Sequence, residues 1–454
     1  MRFRIAAALI AMCVVFGGGG SPSPLAGMIV QISALVALAA WFILIRDQRA
    51  ETPFDWPVLI GAALFAAVPL IQLVPLPPSI WQSLPARETE VAALRLIGAE
   101  NSWRPLSIAP YRTLASALSL IAPLVMIYFV SQLSLRDRTR LLAVLVALIC
   151  LSAAVGAIQQ SSGDSHWLRF YPGTANRAFA TGFHANRNSA ADLFAIGIVA
   201  LATFLAIRSD LLKDLGRRAL AGGILAFLLI AILLTGSRSG MGLGLLAVAV
   251  SALMFASRFR WKRRTVVIGA AAATVMVGLL LFAARDNAVV QKSLDRFNSL
   301  QDARPNLWED TRYAIGTSWP AGTGMGTFVP VIISAEQLEF VDASRPNRAH
   351  NDYLEFTLEA GILGLIVVLM LTIGLMFRTW NVLRDPQTQL EQRRLALFAL
   401  TVLVILALHS IVDYPLRSMS LATLCALAVG MLARTGGQKV GTRLSQAPLE
   451  VRSA

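Results

Sequence analysis

Apolar runs close to bilayer length recur along the chain, at about 5–18, 25–45, 57–75, 111–132, 140–160, 190–207, 219–235, 239–256, 265–284, 355–377, 395–412 and 418–433. Each approaches the roughly 17 to 25 residues that a helix needs to cross a hydrocarbon core. Short polar turns separate most of them. Four segments are longer or more polar: 76–110, 161–189, 285–354 and the turn around 409–417. The pattern predicts an all-α, polytopic membrane protein with about 12 transmembrane helices and one large loop carrying short helices. The expected units are an N-terminal bundle of about nine spans over 1–284, the loop over 285–354, C-terminal helices over 355–433, and a polar, disordered tail over 434–454. The first run follows Arg2 and Arg4 as a signal peptide would. It ends in Gly17 to Gly20 rather than at a small-x-small cleavage site, so it is read as a span.

Composition agrees with the pattern. The chain is 56% hydrophobic and only 15% charged, with a mean hydropathy of +0.64. Soluble domains carry about 25% charge. The net charge of +14 would suggest nucleic acid if it were spread over a surface, but it sits in short loops. These are LRDRTR (135–140), RSDLLKDLGRR (208–218), SRFRWKRR (257–264) and EQRR (391–394). Under the positive-inside rule all of them belong in the cytoplasm, which an even number of spans with both termini inside allows at once. The four longer segments then face outward. The surplus charge is a topology signal and no nucleic-acid partner is expected. Cys13, Cys150 and Cys425 all fall within predicted spans and are read as small buried hydrophobes.

Polar residues gather on the predicted outer side. In RAHNDYLEFTLEAGILGL (348–365), His350, Leu354, Thr357, Gly361 and Gly364 share one helical stripe, while Asp352, Glu355 and Glu359 face the other way. The glycines invite close approach of another helix, which would hold His350 beside a neighbouring span. For an isolated pair, His350 and Asn351 would simply cap the helix. In LLTGSRSGMGLGLL (233–246), Ser237 and Arg238 lie between two spans with no room for a loop. Arg238 therefore sits at the outer interface, where a phosphate best fits its forked donors. In DARPNLWEDTRYAIGTSWPAGTGMGTF (302–328), Pro305 starts a helix with Leu307, Trp308 and Ile315 on its apolar side, flanked by Arg304 and Arg312. Gly322, Gly324 and Gly326 lack the strand and the Lys-Ser/Thr of a phosphate loop and are read as a tight turn against the membrane surface.

Two further segments belong to that side. TGFHANRNSAADL (181–193) puts His184, Asn186, Arg187 and Asn188 just before a span. HSIVDYPLRS (409–418) puts His409 and Asp413 four apart on one helical face, followed by Arg417. The histidines at 166, 184, 350 and 409 show neither HxxxH nor HExxH spacing, so no metal site is expected. There is no GxSxG elbow and no Asp-rich magnesium motif. Chemistry must run on arginine, histidine and carboxylates.

TGSRSG, RPNLW, WPAGTGMGTF and HNDYLEFTLEAGILG, in that order, closely resemble the O-antigen ligase and O-antigen polymerase superfamily. FHANRNSAADL and HSIVDYPLRS fit the same pattern, so motifs cover about 181–433. The resemblance implies a bacterial inner-membrane protein with a large periplasmic loop packed over the bilayer. It also implies glycan transfer from an undecaprenyl diphosphate carrier to lipid A-core or a growing polysaccharide, with no cofactor. Arg238 and Arg304 match the family arginines near the diphosphate, and His350 matches its essential histidine. Two fixed guanidinium groups can neutralise the leaving diphosphate as a metal does elsewhere. His350 is the candidate base on the acceptor hydroxyl, and direct attack inverts the anomeric centre. Arg187, Asn186, Asn188, Asn351 and Arg312 are candidate substrate contacts, with Trp308 placed to stack on a sugar. A transporter of a small molecule or envelope precursor is the alternative. It predicts ionisable groups and broken helices near the midplane rather than at one interface.

Overall fold

Apolar surface must be buried or lipid-facing, and backbone polar groups in lipid must be satisfied internally, so a chain of this pattern folds into helices. The computed structural model describes residues 1–20, 24–45, 52–161, 168–171, 179–256, 304–341 and 346–434. The bundle begins with α1 (Arg2–Phe16), α2 (Pro24–Leu44), α3 (Trp56–Ile71) and the short α4 (Pro78–Trp81) and α5 (Glu88–Leu96). It continues through α6 (Pro110–Ser119), α7 (Ile121–Ser131), α8 (Leu135–Ser161), α9 (Arg187–Ile207), α10 (Leu215–Leu234) and α11 (Arg238–Ala256). After these come α12 (Arg304–Ser318), α13 (Phe328–Ala335), α14 (Asp352–Arg384), α15 (Leu390–His409) and α16 (Met419–Met431). Among the described residues, 8 helical stretches are long and apolar enough to cross a membrane: α2, α6 with α7, α8, α9, α10, α11, α14 and α15. Helices α3 and α16 are shorter and apolar. The expected span at 265–284, the basic loop at 257–264 and the tail beyond Arg434 lie outside the described residues. The strands found among them are two-residue pieces, Pro75–Leu76 pairing antiparallel with Arg104–Pro105.

Helix α9 is the axis of the bundle, with 83% of its apolar window buried. It packs against α8, α10, α11 and α15. Small residues make this possible. A Cβ on Gly197 would come within 2.7 Å of Ile149, and one on Gly240 within 2.3 Å of Ala191. Close backbone approach of this kind drives helix association where lipid removes the hydrophobic force.

The helices run between two polar ends. At one, buried Arg138 donates to the carbonyls of Leu133, Ser131, Met431 and Ala433, capping the C-termini of α7 and α16. Arg378 pairs with Asp55 at the same end, and Arg394 donates to Ala206 O at the close of α9. The basic loops 135–140 and 208–218 lie here. The opposite end holds the starts of α9, α11, α14 and α16 and the finish of α15. Met254 meets Thr203 near the far end, whereas Arg304, opening α12, lies within electrostatic reach of His409.

Helix α14 departs from the expected single stripe. At about 1.5 Å per residue its 33 residues would reach roughly 50 Å, well beyond a 30 Å core. It breaks at Gly361, whose φ of 60° and ψ of −162° are not helical. Among the described residues it is the loop at 320–324, rather than the expected partner helix, that fills the break. Thr323 N and Gly324 N donate to the carbonyls of Leu358 and Glu359 at 3.0 and 2.9 Å, and Ile362 N donates to Pro320 O at 3.0 Å. A Cβ at Gly361 would come within 2.5 Å of the Pro320 and Ala321 oxygens, so this close contact, together with the positive φ, demands glycine. The turn expected at 322–326 is thus a plug docked into a broken helix.

Candidate functional site

The site begins at the entry to α14. Asn351 caps the helix, its Oδ1 accepting from Tyr353 N and Leu354 N, each at 3.0 Å. That oxygen is therefore occupied by the backbone, and the capping role anticipated for an isolated pair is the one Asn351 takes. His350, just before the cap, is held at φ 50°, a left-handed conformation uncommon outside glycine. Neighbours enforce it. Ala349 N donates to Glu355 Oε2 at 3.0 Å, and Trp308 Nε1 donates to Ala349 O at 2.9 Å. The indole is a tether between α12 and the histidine, a use that spacing alone did not suggest.

His350 Nδ1 lies 3.1 Å from Asp413 Oδ1, and the ring packs edge-on to Tyr414 at 4.9 Å. The side chain keeps 31% exposure while Asp413 is almost sealed. Asp413 does not continue α15 as the helical spacing predicted. The helix ends at His409, and a turn closed by Asp413 N donating to His409 O at 2.9 Å carries the carboxylate. The other carboxylate oxygen accepts from Asn186 Nδ2 at 3.0 Å and Asn188 Nδ2 at 2.6 Å. Burial opposes ionisation of Asp413, but the hydrogen bond from His350 and the charges of His409 and His350 hold its carboxyl below the usual range. Asn186 also caps α9 by accepting from Asn188 N at 2.9 Å.

A second imidazole lies behind the first. His409 Nδ1 is 2.6 Å from both oxygens of Asp192, and its Nε2 is 2.8 Å from Ser239 Oγ. Ser239 is partly buried in the first turn of α11, beside exposed Arg238. The preceding Gly236 adopts φ 61°, which folds α10 back into α11 without a loop. The Arg304 guanidinium is near enough to His409 to act on it electrostatically. Arg238, Arg304, His350, Asn186 and Asn188 are therefore clustered at one end of the bundle, joined through His409 and Asp413.

The carboxylates beside that cluster serve a different purpose. Arg417 contacts Asp352, Glu355 and Glu359 at 3.4, 3.3 and 2.9 Å, and Arg348 pairs with Glu355 at 2.9 Å. Burial disfavours the Arg417 charge, yet these carboxylates raise its affinity for a proton above the ordinary value. The cluster ties the turn carrying Asp413 to the start of α14. Arg187 stacks on Phe179 at 4.3 Å, while Arg312 is exposed on α12. His184 is fully buried with neither ring nitrogen hydrogen-bonded, and burial depresses it to about 4. Among the described residues no group of His, Cys, Asp and Glu is arranged to hold a metal.

Spacing did not single out Asp192 or Ser239. An acid inside an apolar span was the available signal, since intramembrane ionisable groups are expensive without a partner.

A family model described as O-antigen ligase matches residues 223–369. The match supports membership of the O-antigen ligase/polymerase superfamily. No curated protein matches the chain. The matched O-antigen ligase segment holds Arg238, Ser239, Arg304 and His350. Asn186, Asn188, Asp192, His409 and Asp413 come from outside it, and the fold brings them to the same place. Over residues 223–369 the chain is similar to O-antigen ligases, and the candidate site joins residues from inside and outside that segment.

Proposed function

We propose that the enzyme transfers a glycan from undecaprenyl diphosphate to an acceptor sugar, on lipid A-core or a growing polysaccharide, at the periplasmic face of the inner membrane. The observation that carries this reading is the Asp413 carboxylate, which binds His350 with one oxygen and Asn186 and Asn188 with the other. With Nδ1–H donated to Asp413, a neutral His350 leaves Nε2 free to take the acceptor hydroxyl proton. Arg238 and Arg304 meet the negative charge that develops on the diphosphate as the sugar C1–O bond breaks. Attack opposite that bond inverts the anomeric centre. The basic loops at the far end support a periplasmic site under the positive-inside rule.

Reconstituted protein given a lipid-diphosphate glycan and an acceptor should form product without an ion gradient and in the presence of a chelator. His350→Ala and Arg304→Lys should insert normally and lose on the order of 100-fold or more in rate. Lysine keeps the charge but loses the bidentate fork. Unimpaired transfer by both variants would overturn the assignment, and a gradient requirement would favour transport.

A further inference from the structure

Ser239, His409 and Asp192 form a hydrogen-bonded chain from three helices that the reaction above leaves unused. Asp192 comes from the middle helix α9 and is fully buried, as is His409 at the end of α15. Both oxygens of the carboxylate lie 2.6 Å from Nδ1, which fixes that nitrogen as the protonated one. Nε2 then faces Ser239 Oγ at 2.8 Å. The hydroxyl has a second neighbour in Ser237 Oγ at 3.3 Å, and Ser237 itself accepts from Gly240 N at 3.1 Å. Ser239 is the least buried member and sits directly after Arg238. A buried acid–imidazole pair is costly in a membrane span, and here it ends on Ser239, the less buried of the two serines that flank the proposed diphosphate ligand Arg238.

We propose that Ser239 is a catalytic hydrogen-bond donor to the leaving diphosphate, supplied with a proton by His409, which Asp192 positions. In the step, the electron pair of the sugar C1–O bond passes to the departing diphosphate oxygen. His409 enters the step as the imidazolium, its charge matched by the Asp192 carboxylate. Ser239 Oγ gives its proton to the departing oxygen, and His409 Nε2–H restores it to Oγ, leaving His409 neutral with its proton on Nδ1. The acceptor hydroxyl forms the new bond to C1 and releases its proton to His350. One imidazole ends neutral and the other protonated, so water resets both. Two histidines, each with Nδ1 against an aspartate, thereby divide the acid and base roles.

This inference rests on the glycan-transfer reading, and its test separates the two. Transfer by the full-length reconstituted wild-type chain is measured as a function of pH with a lipid-diphosphate glycan as donor. The groups facing His409 are Asp192 from α9, Ser239 from α11, Arg304 from α12 and Asp413 from the turn after α15, with Asp352 on Ser410 next to it. Ser239→Ala should lower kcat about 100-fold with donor KM within about threefold, and should remove the alkaline limb of the kcat profile while the acid limb persists. Ser239→Thr, which keeps the hydroxyl, should restore most of the rate. Asp192→Asn should resemble Ser239→Ala. Wild-type kcat and both limbs in Ser239→Ala would overturn the relay alone, as would Ser239→Thr being no better than alanine. A wild-type protein inert towards the lipid donor would instead remove the glycan-transfer reading on which the relay stands.

Discussion

His350 owes its place to three neighbours rather than to its own helix: the Asn351 cap, the Trp308 tether and the Asp413 carboxylate. The left-handed backbone there costs on the order of 1 kcal/mol, which those contacts offset. Residue type and rough location were legible, because histidine and arginine at an interface imply a purpose. Asp413 was visible as an acid near His409 but not as the partner of His350, because turns after helices leave no periodic signal. Its loss tests that partnership. Asp413→Asn should lower transfer about 100- to 10,000-fold by presenting the wrong imidazole tautomer, with little change in folding. Retention of wild-type turnover would show that His350 needs no carboxylate.

His184 makes a second residue-scale case, this time for stability. Its ring is buried and unpartnered, with a proton affinity depressed from 6.5 to about 4. The unfolded chain therefore takes up a proton at pH values where the folded one does not. The stabilising effect of the neutral ring is complete above about 6.5 and is lost as pH falls towards about 4. His184→Phe should flatten the acid side of the thermal-unfolding profile in detergent over that window. An unchanged profile would mean that the acid loss arises elsewhere.

Among the elements, periodicity located the spans but not the break in α14. Nothing in the order of apolar residues distinguishes a packing glycine from one at φ 60°, because the distinction lies in Pro320 and Ala321, far away in the chain. The acidic side of the same helix was legible as unusual, yet its meaning depends on Arg417 and Arg348. Removing one partner from a buried ion cluster costs about 3–5 kcal/mol, since the remaining charges are stranded. Arg417→Met should therefore depress the unfolding temperature sharply and loosen the turn that carries Asp413. If stability is unchanged but transfer is lost, Arg417 acts on substrate rather than on the fold.

For the whole molecule, the two polar ends differ in kind. One is closed by arginines on helix carbonyls, while the other gathers histidines, asparagines and carboxylates around a partly open imidazole. The segment at 72–109 lies at the second end, because Gln72 Nε2 donates to Glu359 O at 2.9 Å and Ile108 N donates to Thr323 O at 3.0 Å. Ile97 there is 75% exposed. Lys213, in a basic loop, marks the first end. Charge asymmetry orients such bundles during insertion, so these two positions should lie on opposite sides of the membrane. In a background with Cys13, Cys150 and Cys425 replaced, Ile97→Cys should react with a membrane-impermeant maleimide in spheroplasts. Lys213→Cys should react only after lysis. The reverse labelling would place the His350 end in the cytoplasm, where an undecaprenyl-linked glycan already translocated to the outer leaflet could not reach it.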